Sequence, residues 1–188
     1  MEQKQTQERA AKLTIILGTN GTGKSTLLRN IIMRNQQRTL IVTPDAAEWT
    51  DFPENELLKK SDFLFSGIQR HVFSPETTLQ SISNFVKGTL VLDDYRAFML
   101  PQTSPEIHTL AIRRRQKELD IFVAAHGFTE VPPMLFTFAS DIFLFRTTEN
   151  VVRRKDCLKD YEKIQQLQEL VNKEAIKNPH YYKYYKWS

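Results

Sequence analysis

The residues with the clearest chemical capacity lie at positions 18–25, GTNGTGKS, which match the pattern G-x-x-x-x-G-K-S/T at every defined position. The segment follows an apolar run, LTIIL, and precedes a run typical of a helix, KSTLLRNIIMR. Glycines let the backbone curl so that successive N–H groups point at phosphate oxygens, and the start of the helix adds its positive dipole. The pattern therefore predicts a phosphate-binding loop (P-loop) for a nucleoside triphosphate.

The polar side chains of this loop have separate predicted roles. Lys24 reaches the β- and γ-phosphates, Ser25 is a ligand of Mg²⁺, and Thr26 donates to an outer phosphate. The alternative is a glycine-rich turn that binds nothing, but the strand–loop–helix context argues against it. The residues expected to contact the nucleotide are Gly18, Thr19, Asn20, Gly21, Thr22, Gly23, Lys24, Ser25 and Thr26.

Two adjacent carboxylates, Asp93 and Asp94, follow the apolar run LVL. This is where a Walker B motif belongs, because parallel strands point their carboxyl ends toward the bound phosphates. Asp93 would hold Mg²⁺ through water, and Asp94 would orient and polarise the attacking water. The alternative is a pair of acids that caps a loop. Because Asp94, the acid that would activate water, directly follows Asp93, the acid that would hold Mg²⁺, the motif indicates an enzyme that couples hydrolysis to mechanical work. It argues against a small-molecule kinase.

The elements that position these residues are apolar runs of strand length alternating with helix-like stretches. The runs cover residues 13–17, 39–43, 89–92, 120–125 and 141–145, and the helices cover residues 24–37, about 75–87 and 105–119. Continuous apolar strands are typical of sheets covered by helices on both faces. The pattern predicts an α/β fold, a P-loop three-layer sandwich with a mainly parallel central sheet and a C-terminal helical tail. Residues 62–65 fit either a sixth short strand or part of a helical insertion.

Length and composition limit the class of protein. A chain of 188 residues with 40% hydrophobic residues can form one domain with a tail. No run approaches the ~18 apolar residues of a membrane span, and the polar segment MEQKQTQERAAK lacks the apolar stretch of a secretory signal. The single cysteine, Cys157, excludes an intrachain disulfide and a cysteine-only zinc site. We therefore expect a soluble, cytosolic, globular protein.

The charge is distributed unevenly along the chain. Residues 1–152 hold 17 Lys/Arg and 17 Asp/Glu, whereas residues 153–188 hold 9 against 5. We therefore expect a P-loop ATPase domain over 1–152 and a basic helical tail over 153–188, with one helix over 156–177 that ends at Asn178. The charge favours a polyanion partner or, equally, a solvated helix. The end YYKYYKWS suits base stacking, packing on the domain or disorder.

With both motifs placed, the chain resembles the P-loop ATPases of the FtsK–HerA superfamily. The resemblance is strongest to the genome-packaging ATPases of icosahedral viruses with internal membranes and to the Zot-like assembly proteins of filamentous phages. It covers about residues 13–147. It rests on the loop at 18–25, VTPDAAEW at 42–49, LDDYR at 92–96, RRR at 113–115, DIFVAAH at 120–126, VPP at 131–133 and FLFRT at 143–147.

The resemblance implies roles for residues outside the two motifs. Glu48 closes an aspartate-to-glutamate signature and helps to position water. One arginine of residues 113–115, best Arg115, is implied as a finger inserted into a neighbouring subunit's site, with Arg146 as the weaker candidate. A solvated basic helix face or a DNA contact is the alternative for this triplet.

The chain departs from the family's pattern at two positions. His126 stands where the family usually has a glutamine sensor, and imidazole can still donate to the γ-phosphate or hold water. Asp94 stands where the family usually has glutamate, so the reach is shorter by one methylene and slow turnover is expected. The catalytic set implied in full is Lys24, Glu48, Asp93, Asp94, Arg115 and His126, with Ser25 and Asp93 at the metal.

The function implied by the resemblance is an ATP-hydrolysing DNA translocase, most specifically a viral genome-packaging ATPase. It uses ATP and Mg²⁺ and works as a homo-oligomeric ring, often a hexamer, that contacts the DNA backbone without sequence preference. A capsid or membrane-vertex protein is the implied docking partner. The implied location is the host cytoplasm, with the virion as the alternative.

Two rival functions remain open at this stage. Residues 65–70, FSGIQR, faintly echo the LSGGQ signature of ABC-type ATPases, and His126 could be a switch histidine. Three features argue against an ABC-type ATPase: Ile68 replaces the second signature glycine, the stretch after Asp94, YRAFML, lacks the expected proline and D-loop, and the chain is short for a fold with an extra antiparallel subdomain. The other rival is an ATP-binding assembly protein that hydrolyses little, which Asp94 and His126 would permit.

Overall fold

The computed structural model describes residues 11–57, 59–75, 78–99 and 105–187. In chain order its strands are β1 (Leu13–Leu17), β2 (Thr39–Thr43), β3 (Ile68–Val72), β4 (Gly88–Leu92), β5 (Leu119–Ala125), β6 (Asp141–Leu144) and β7 (Lys183–Lys186). The α-helices are α1 (Lys24–Asn35), α2 (Thr78–Ile82), α3 (Pro105–Arg113), α4 (Pro133–Phe138) and α5 (Tyr161–Glu174). Short 3-10 helices cover Lys60–Phe63, Tyr95–Phe98, Phe128–Glu130 and Val151–Cys157. The predicted α/β class is confirmed.

All seven strands form one sheet in the order β3-β2-β4-β5-β1-β6-β7. The first six strands are parallel, and β7 runs antiparallel to β6 at one edge. In the centre Leu13 of β1 pairs with Ile121 of β5, and Leu90 of β4 pairs with the same Ile121 from the other side. The carboxyl ends of β2, β4, β5 and β1 are therefore consecutive along one edge, and the predicted site residues follow these four strands.

Alternate residues of the central strands face opposite sides of the sheet. In β5, Ile121 and Val123 join one apolar cluster, whereas Phe122 and Ala124 join a second. Helices α2, α3, α4 and α5 contribute to the first cluster, and α1 contributes Leu28 and Ile32 to the second. Helices thus cover both faces, as expected from the continuous apolar strands. This is the predicted three-layer sandwich.

The predicted strands match closely at the centre of the sheet. The runs at 13–17 and 39–43 are β1 and β2 with the same bounds, while β4 and β5 each begin one residue earlier than predicted and β6 ends one residue earlier. The undecided segment at 62–65 lies partly in the 3-10 helix Lys60–Phe63. Strand β3 was not predicted, because its sequence IQRHV is polar and only partly buried at the sheet edge.

The helices are shorter than predicted. α1 ends at Asn35 rather than at residue 37 because Gln36 adopts a left-handed φ of 50°. α2 covers only Thr78–Ile82, and α3 ends at Arg113 rather than at residue 119. Glu118, with φ of 51°, instead turns the chain into β5.

The predicted helix over 156–177 is interrupted. Leu158 is extended, with φ −93° and ψ 117°, so a 3-10 helix precedes it and α5 begins only at Tyr161. After α5 the chain returns as β7, whose residue Tyr184 pairs with Phe143 of β6. Within the predicted tail, Lys183–Lys186 therefore extend the sheet, and the boundary after residue 152 remains a prediction. No described helix has the length and apolar character needed to cross a bilayer.

Candidate active site

The segment between β1 and α1 has the backbone shape of a P-loop. Gly23 adopts φ 98°, a left-handed conformation that residues with a Cβ rarely take. Gly18 is packed so closely that a Cβ there would lie 2.5 Å from Phe145 Cβ. Thr22 Oγ1 donates to the Thr19 carbonyl over 2.8 Å, which ties the two sides of the loop together. The loop is therefore a folded cradle directly at the start of α1.

Lys24 extends back across this cradle. Its Nζ donates to the carbonyl of Thr19 over 3.2 Å. Burial lowers the pKa of the Lys24 ammonium, and the nearby carboxylates of Asp93, Asp94 and Glu130 partly offset that effect. A phosphate placed in the cradle would supply the opposite charge that this partly desolvated ammonium lacks.

Asp93 follows β4 and is almost completely buried, with 8% of its surface exposed. Its Oδ2 accepts a hydrogen bond of 2.7 Å from the indole Nε1 of Trp49, and its Oδ1 accepts one of 3.1 Å from the backbone N–H of Asp94. Burial raises the pKa of the Asp93 carboxyl, and the bond from Trp49 and the charge of Lys24 act in the opposite direction. The ionised carboxylate is therefore short of positive charge.

Asp94, His126 and Glu130 meet beside Asp93. Asp94 adopts a left-handed φ of 47°, and its Oδ1 is buried without a hydrogen bond from any described residue. His126 Nε2 lies 3.9 Å from that oxygen. Glu130 Oε2 accepts a hydrogen bond of 2.8 Å from the backbone N–H of His126. The ligand atoms of all three lie within 4.8 Å of one another, close enough to share one water or one metal ion.

Lys24, Asp93, Asp94 and His126 share one open cavity of about 550 Å³. Five of the six predicted catalytic residues line it: Lys24, Glu48, Asp93, Asp94 and His126. Of the loop, Asn20, Gly21, Gly23, Lys24, Ser25 and Thr26 line it, and Thr43, Pro44, Asp45 and His180 complete the wall. The remaining predicted loop residues, Gly18, Thr19 and Thr22, form the cradle beneath. The volume suits a ligand of nucleotide size.

The residues at this edge fit a magnesium ion. Mg²⁺ binds oxygen ligands and keeps several waters, and Ser25 and Asp93, which carry a hydroxyl and a carboxylate, both line the cavity. Each Asp93 oxygen accepts one described hydrogen bond and keeps a lone pair. The buried, unpaired Oδ1 of Asp94 adds an acceptor for a metal-bound water.

The arginines of residues 113–115 lie elsewhere. Arg113 is the last residue of α3 and the other two follow it at the amino edge of the sheet, where the seven-residue strand β5 separates them from the cavity by about 20 Å. Arg115 is exposed, whereas Arg114 is 8% exposed and donates to the Ala111 carbonyl over 2.7 Å. Arg146 is exposed beside the P-loop, and its carbonyl accepts from the Thr19 N–H over 2.9 Å. Arg115 therefore has no access to its own chain's cavity.

Sequence reasoning missed three residues: His180, which lines the cavity, and Trp49 and Glu130, which bond residues that line it. Trp49 belongs to the segment at 42–49 on which the family resemblance rests, but no role was predicted for it. Its position next to Glu48 could have indicated that it lies near the site. Glu130 follows His126 by four residues, and a carboxylate after a buried strand was also a signal. His180 had none, because only the return of the tail brings its ring to 3.2 Å from the position that a Cβ on Gly23 would occupy.

Comparison with known proteins supports the same architecture. A family model described as ABC transporter matches residues 5–182, and no curated protein matches the chain in sequence. The genome packaging NTPase B204 from Sulfolobus turreted icosahedral virus 2, in complex with AMP, is similar with a TM-score of 0.72 and 14% identity over 94% of this chain and 92% of that chain. Its complex with sulfate gives 0.68 and 16% identity over 95% and 97%.

B204, the DNA-packaging ATPase from Sulfolobus Turreted Icosahedral Virus, gives a TM-score of 0.64 and 15% identity over 94% of this chain and 98% of that chain. Identities this low show a shared fold, and here the fold is shared over nearly the whole of both chains. The predicted resemblance to packaging ATPases is thus confirmed for the architecture. The chain belongs to the family described as ABC transporter, whose members are P-loop ATPases, and it has the fold of the viral genome-packaging NTPases.

Proposed function

We propose that this chain binds ATP with Mg²⁺ and hydrolyses it to translocate DNA, as a ring-forming viral genome-packaging ATPase. The observation that carries the proposal is the single cavity in which the P-loop lysine, Lys24, faces the paired acids Asp93 and Asp94. The packaging role rests further on the fold, which matches a genome-packaging NTPase over 95% of this chain and 97% of that one. The DNA backbone and a capsid or membrane-vertex protein are the proposed partners.

The chemistry follows from the positions of the side chains. Lys24 and the loop N–H groups neutralise and orient the phosphates, and Thr26 borders the same space. Asp94 Oδ1 accepts a hydrogen bond from the attacking water, with His126 3.9 Å from that oxygen to orient it. Glu48 borders the cavity from the segment after β2. Water then attacks the γ-phosphorus, the bond to the β-phosphate oxygen breaks, and ADP and phosphate leave.

The proposed metal ligands are Ser25 and Asp93. Magnesium, when bound there, supplies positive charge to the β- and γ-phosphate oxygens. Asp93 keeps its carboxylate directed by two hydrogen bonds, and its burial strengthens its attraction for a cation because little water screens it. Ser25, at the second position of α1, lines the same cavity.

The direct test is Lys24→Ala. We expect steady-state ATP hydrolysis to fall at least ~100-fold, since the variant loses a charged group aimed at the transferred phosphate. The circular dichroism spectrum and the unfolding midpoint should stay close to the parent's, because Lys24 is partly exposed and packs no core. Lys163→Ala, which removes an exposed lysine from α5, is the matched control and should keep parental activity. Normal turnover in Lys24→Ala would remove the assignment.

The family match favours a second candidate, an ABC-type ATPase subunit that works as a dimer. The P-loop and paired acids are common to both candidates. However, the stretch that echoed the ABC signature runs into the edge strand β3, where Ile68 pairs with Thr39 at the amino end of β2. Native mass spectrometry with a non-hydrolysable ATP analogue separates the two, because a ring and a dimer differ in mass.

A further inference from the structure

The indole of Trp49, which has no role in the proposed chemistry, is hydrogen-bonded to Asp93, the proposed magnesium ligand. Trp49 Nε1 donates to Asp93 Oδ2 over 2.7 Å, and the two residues are 3% and 8% exposed. The bond joins the segment after β2 to the end of β4, two neighbouring strands whose residues Val42 and Leu92 are paired. A buried hydrogen bond to a charged group is among the stronger polar contacts in a protein.

The indole and the backbone together fix the plane of the carboxylate. The N–H of Asp94 donates to Asp93 Oδ1 over 3.1 Å, so each oxygen has its own donor. The indole nitrogen can only donate a hydrogen bond. It therefore does not itself bind a cation and does not compete with the carboxylate for one. With one donor on each Asp93 carboxylate oxygen, each oxygen keeps one lone pair that a cation can use.

The indole itself is held from several sides. The Arg29 guanidinium lies 4.9 Å from the Trp49 ring centroid, and Phe52 stacks against the ring at 6.2 Å. Arg29 is fixed in turn by a salt bridge to Asp51. Trp49 adopts a left-handed φ of 57°, which a bulky side chain takes only where its surroundings impose it. The ring is therefore placed by the fold and not by its own preference.

We propose that Trp49 is a positioning residue for the magnesium site, whose N–H holds the Asp93 carboxylate in the orientation that serves the cation. This inference rests on the proposed function, because it concerns the same site. The competing role is core packing alone, which a phenyl ring would largely preserve. The N–H group distinguishes the two roles.

The first test is the magnesium dependence of ATP hydrolysis in Trp49→Phe. Losing the N–H frees Asp93 to rotate, so we expect the Mg²⁺ concentration for half-maximal rate to rise about tenfold or more, with a smaller change in the rate at saturating Mg²⁺. Phe52→Leu is the matched control, since it alters the packing of the indole and keeps the hydrogen bond. A parental magnesium requirement in a folded Trp49→Phe variant would overturn the inference.

The second test reads the indole directly. Trp187→Phe leaves Trp49 as the remaining one of two tryptophans, and it removes a buried indole N–H that has no described partner. In this background we expect Trp49 emission to change when Mg²⁺ and a non-hydrolysable ATP analogue are added, and not when Asp93 is also changed to Ala. Constant emission at an analogue concentration that calorimetry shows to be saturating would contradict the inference.

A third measurement keeps the inference separate from the proposed function. In the metal-free protein the indole proton of Trp49 should resonate downfield in a ¹H–¹⁵N spectrum, and Asp93→Ala should shift it upfield. If the parent protein hydrolyses no ATP, the proposed function is wrong, and a Mg²⁺ titration of Trp49 emission then decides the positioning role. If the chemical shift of the indole proton is the same in the parent and in Asp93→Ala, the hydrogen bond itself is absent and the inference fails.

Discussion

Asp93 is buried, and the magnesium-binding role proposed for it requires its carboxyl group to be negatively charged. Burial raises the pKa of its carboxyl above the ordinary value of 3.8, although Trp49 and Lys24 act against that rise. The folded chain therefore holds this proton more tightly than the unfolded chain does. It follows that the ionised carboxylate destabilises the metal-free fold once the pH is above 3.8.

Asp93→Asn should abolish magnesium-dependent hydrolysis and should remove this pH-dependent cost from the metal-free protein. The amide nitrogen cannot accept a hydrogen bond from Trp49 or from the Asp94 N–H, so one donor loses its acceptor and the variant carries a loss of stability that does not vary with pH. The difference in thermal midpoint, variant minus parent, should therefore increase as the pH rises from 3.8 through the folded pKa of Asp93, and should be constant above it. Scanning calorimetry in a chelator checks this. Glu169→Gln, which removes a similar charge from the exposed side of α5, is the control and should show no such increase. A difference for Asp93→Asn that stays constant over this pH range would contradict the argument.

At the scale of elements, the tail is joined to the domain by strand pairing and by aromatic packing. Tyr182 packs on Phe145 with ring centroids 4.9 Å apart, and Tyr184 packs on Phe143 at 5.0 Å. Trp187 is 5% exposed and joins the larger core cluster. Of the three fates considered for the aromatic end, packing on the domain is the one that the structure shows.

α5 reinforces this attachment through two amide side chains. Gln168 Nε2 donates to Thr147 Oγ1 over 2.6 Å, and Asn172 bonds both the N–H and the carbonyl of Thr147. These bonds fix the chain as it leaves β6, next to Arg146 and the P-loop. The tail therefore acts as part of the wall of the site and brings His180 to the cavity.

Trp187→Ala tests the contribution of the last strand. We expect a loss of about 3 kcal/mol in the free energy of unfolding, because a large buried side chain is replaced by a cavity. Ile176→Ala is the control: its side chain is 80% exposed, so the change should stay within about 0.5 kcal/mol. Urea denaturation followed by circular dichroism measures both. A loss below about 1 kcal/mol for Trp187→Ala would mean that β7 frays from β6.

At the scale of the whole molecule, the exposed Arg115 and the cavity lie at opposite edges of one sheet. A head-to-tail ring places one surface of each subunit against a different surface of the next. An arginine that acts on a neighbour must be exposed and remote from its own site, and Arg115 meets both conditions. Arg114, which is buried, does not meet the first.

Arg115→Ala should be inactive alone and should recover activity in mixed rings with Lys24→Ala subunits. An intact arginine from the Lys24→Ala subunit would then complete the intact cavity of its neighbour. We expect the mixture to exceed either variant at least tenfold, since one charged group at the transferred phosphate contributes on the order of 10² or more. Arg34→Ala, at the end of α1, serves as a control that should remain active. Failure of the mixture to recover would argue against a trans finger.

Translocation predicts that DNA stimulates hydrolysis and that salt weakens the effect. Contacts to a phosphate backbone release counterions, so the DNA concentration for half-maximal stimulation should rise steeply between ~50 and ~200 mM salt. Random-sequence and homopolymer DNA should stimulate equally. Asp94→Asn should remove the stimulated rate while leaving DNA affinity unchanged. If DNA does not change the rate of ATP hydrolysis, the alternative function, an ATP-binding assembly protein that hydrolyses little ATP, would be favoured.

The features that could be predicted are those that depend on residues close together in the chain. The glycine spacing at 18–25, the continuous apolar runs of β1 and β2, and the acids that end β4 are local patterns with a local physical cause. From them follow the P-loop, the parallel sheet and the expectation that Lys24 and Asp93 meet at one edge. The helix ends differed from the predicted ones, because a single left-handed residue such as Gln36 stops a helix.

Contacts between residues far apart in the chain are visible only in the folded structure. Trp49 and Asp93 are 44 positions apart, and no periodicity in the sequence pairs an indole with a particular carboxylate. The polar edge strand β3 and the returning strand β7 form only because a sheet edge is available to bond them. The same return brings His180 to the P-loop. Such contacts are stabilised by burial and pairing within the assembled fold, and that stabilisation has no counterpart in a short stretch of sequence.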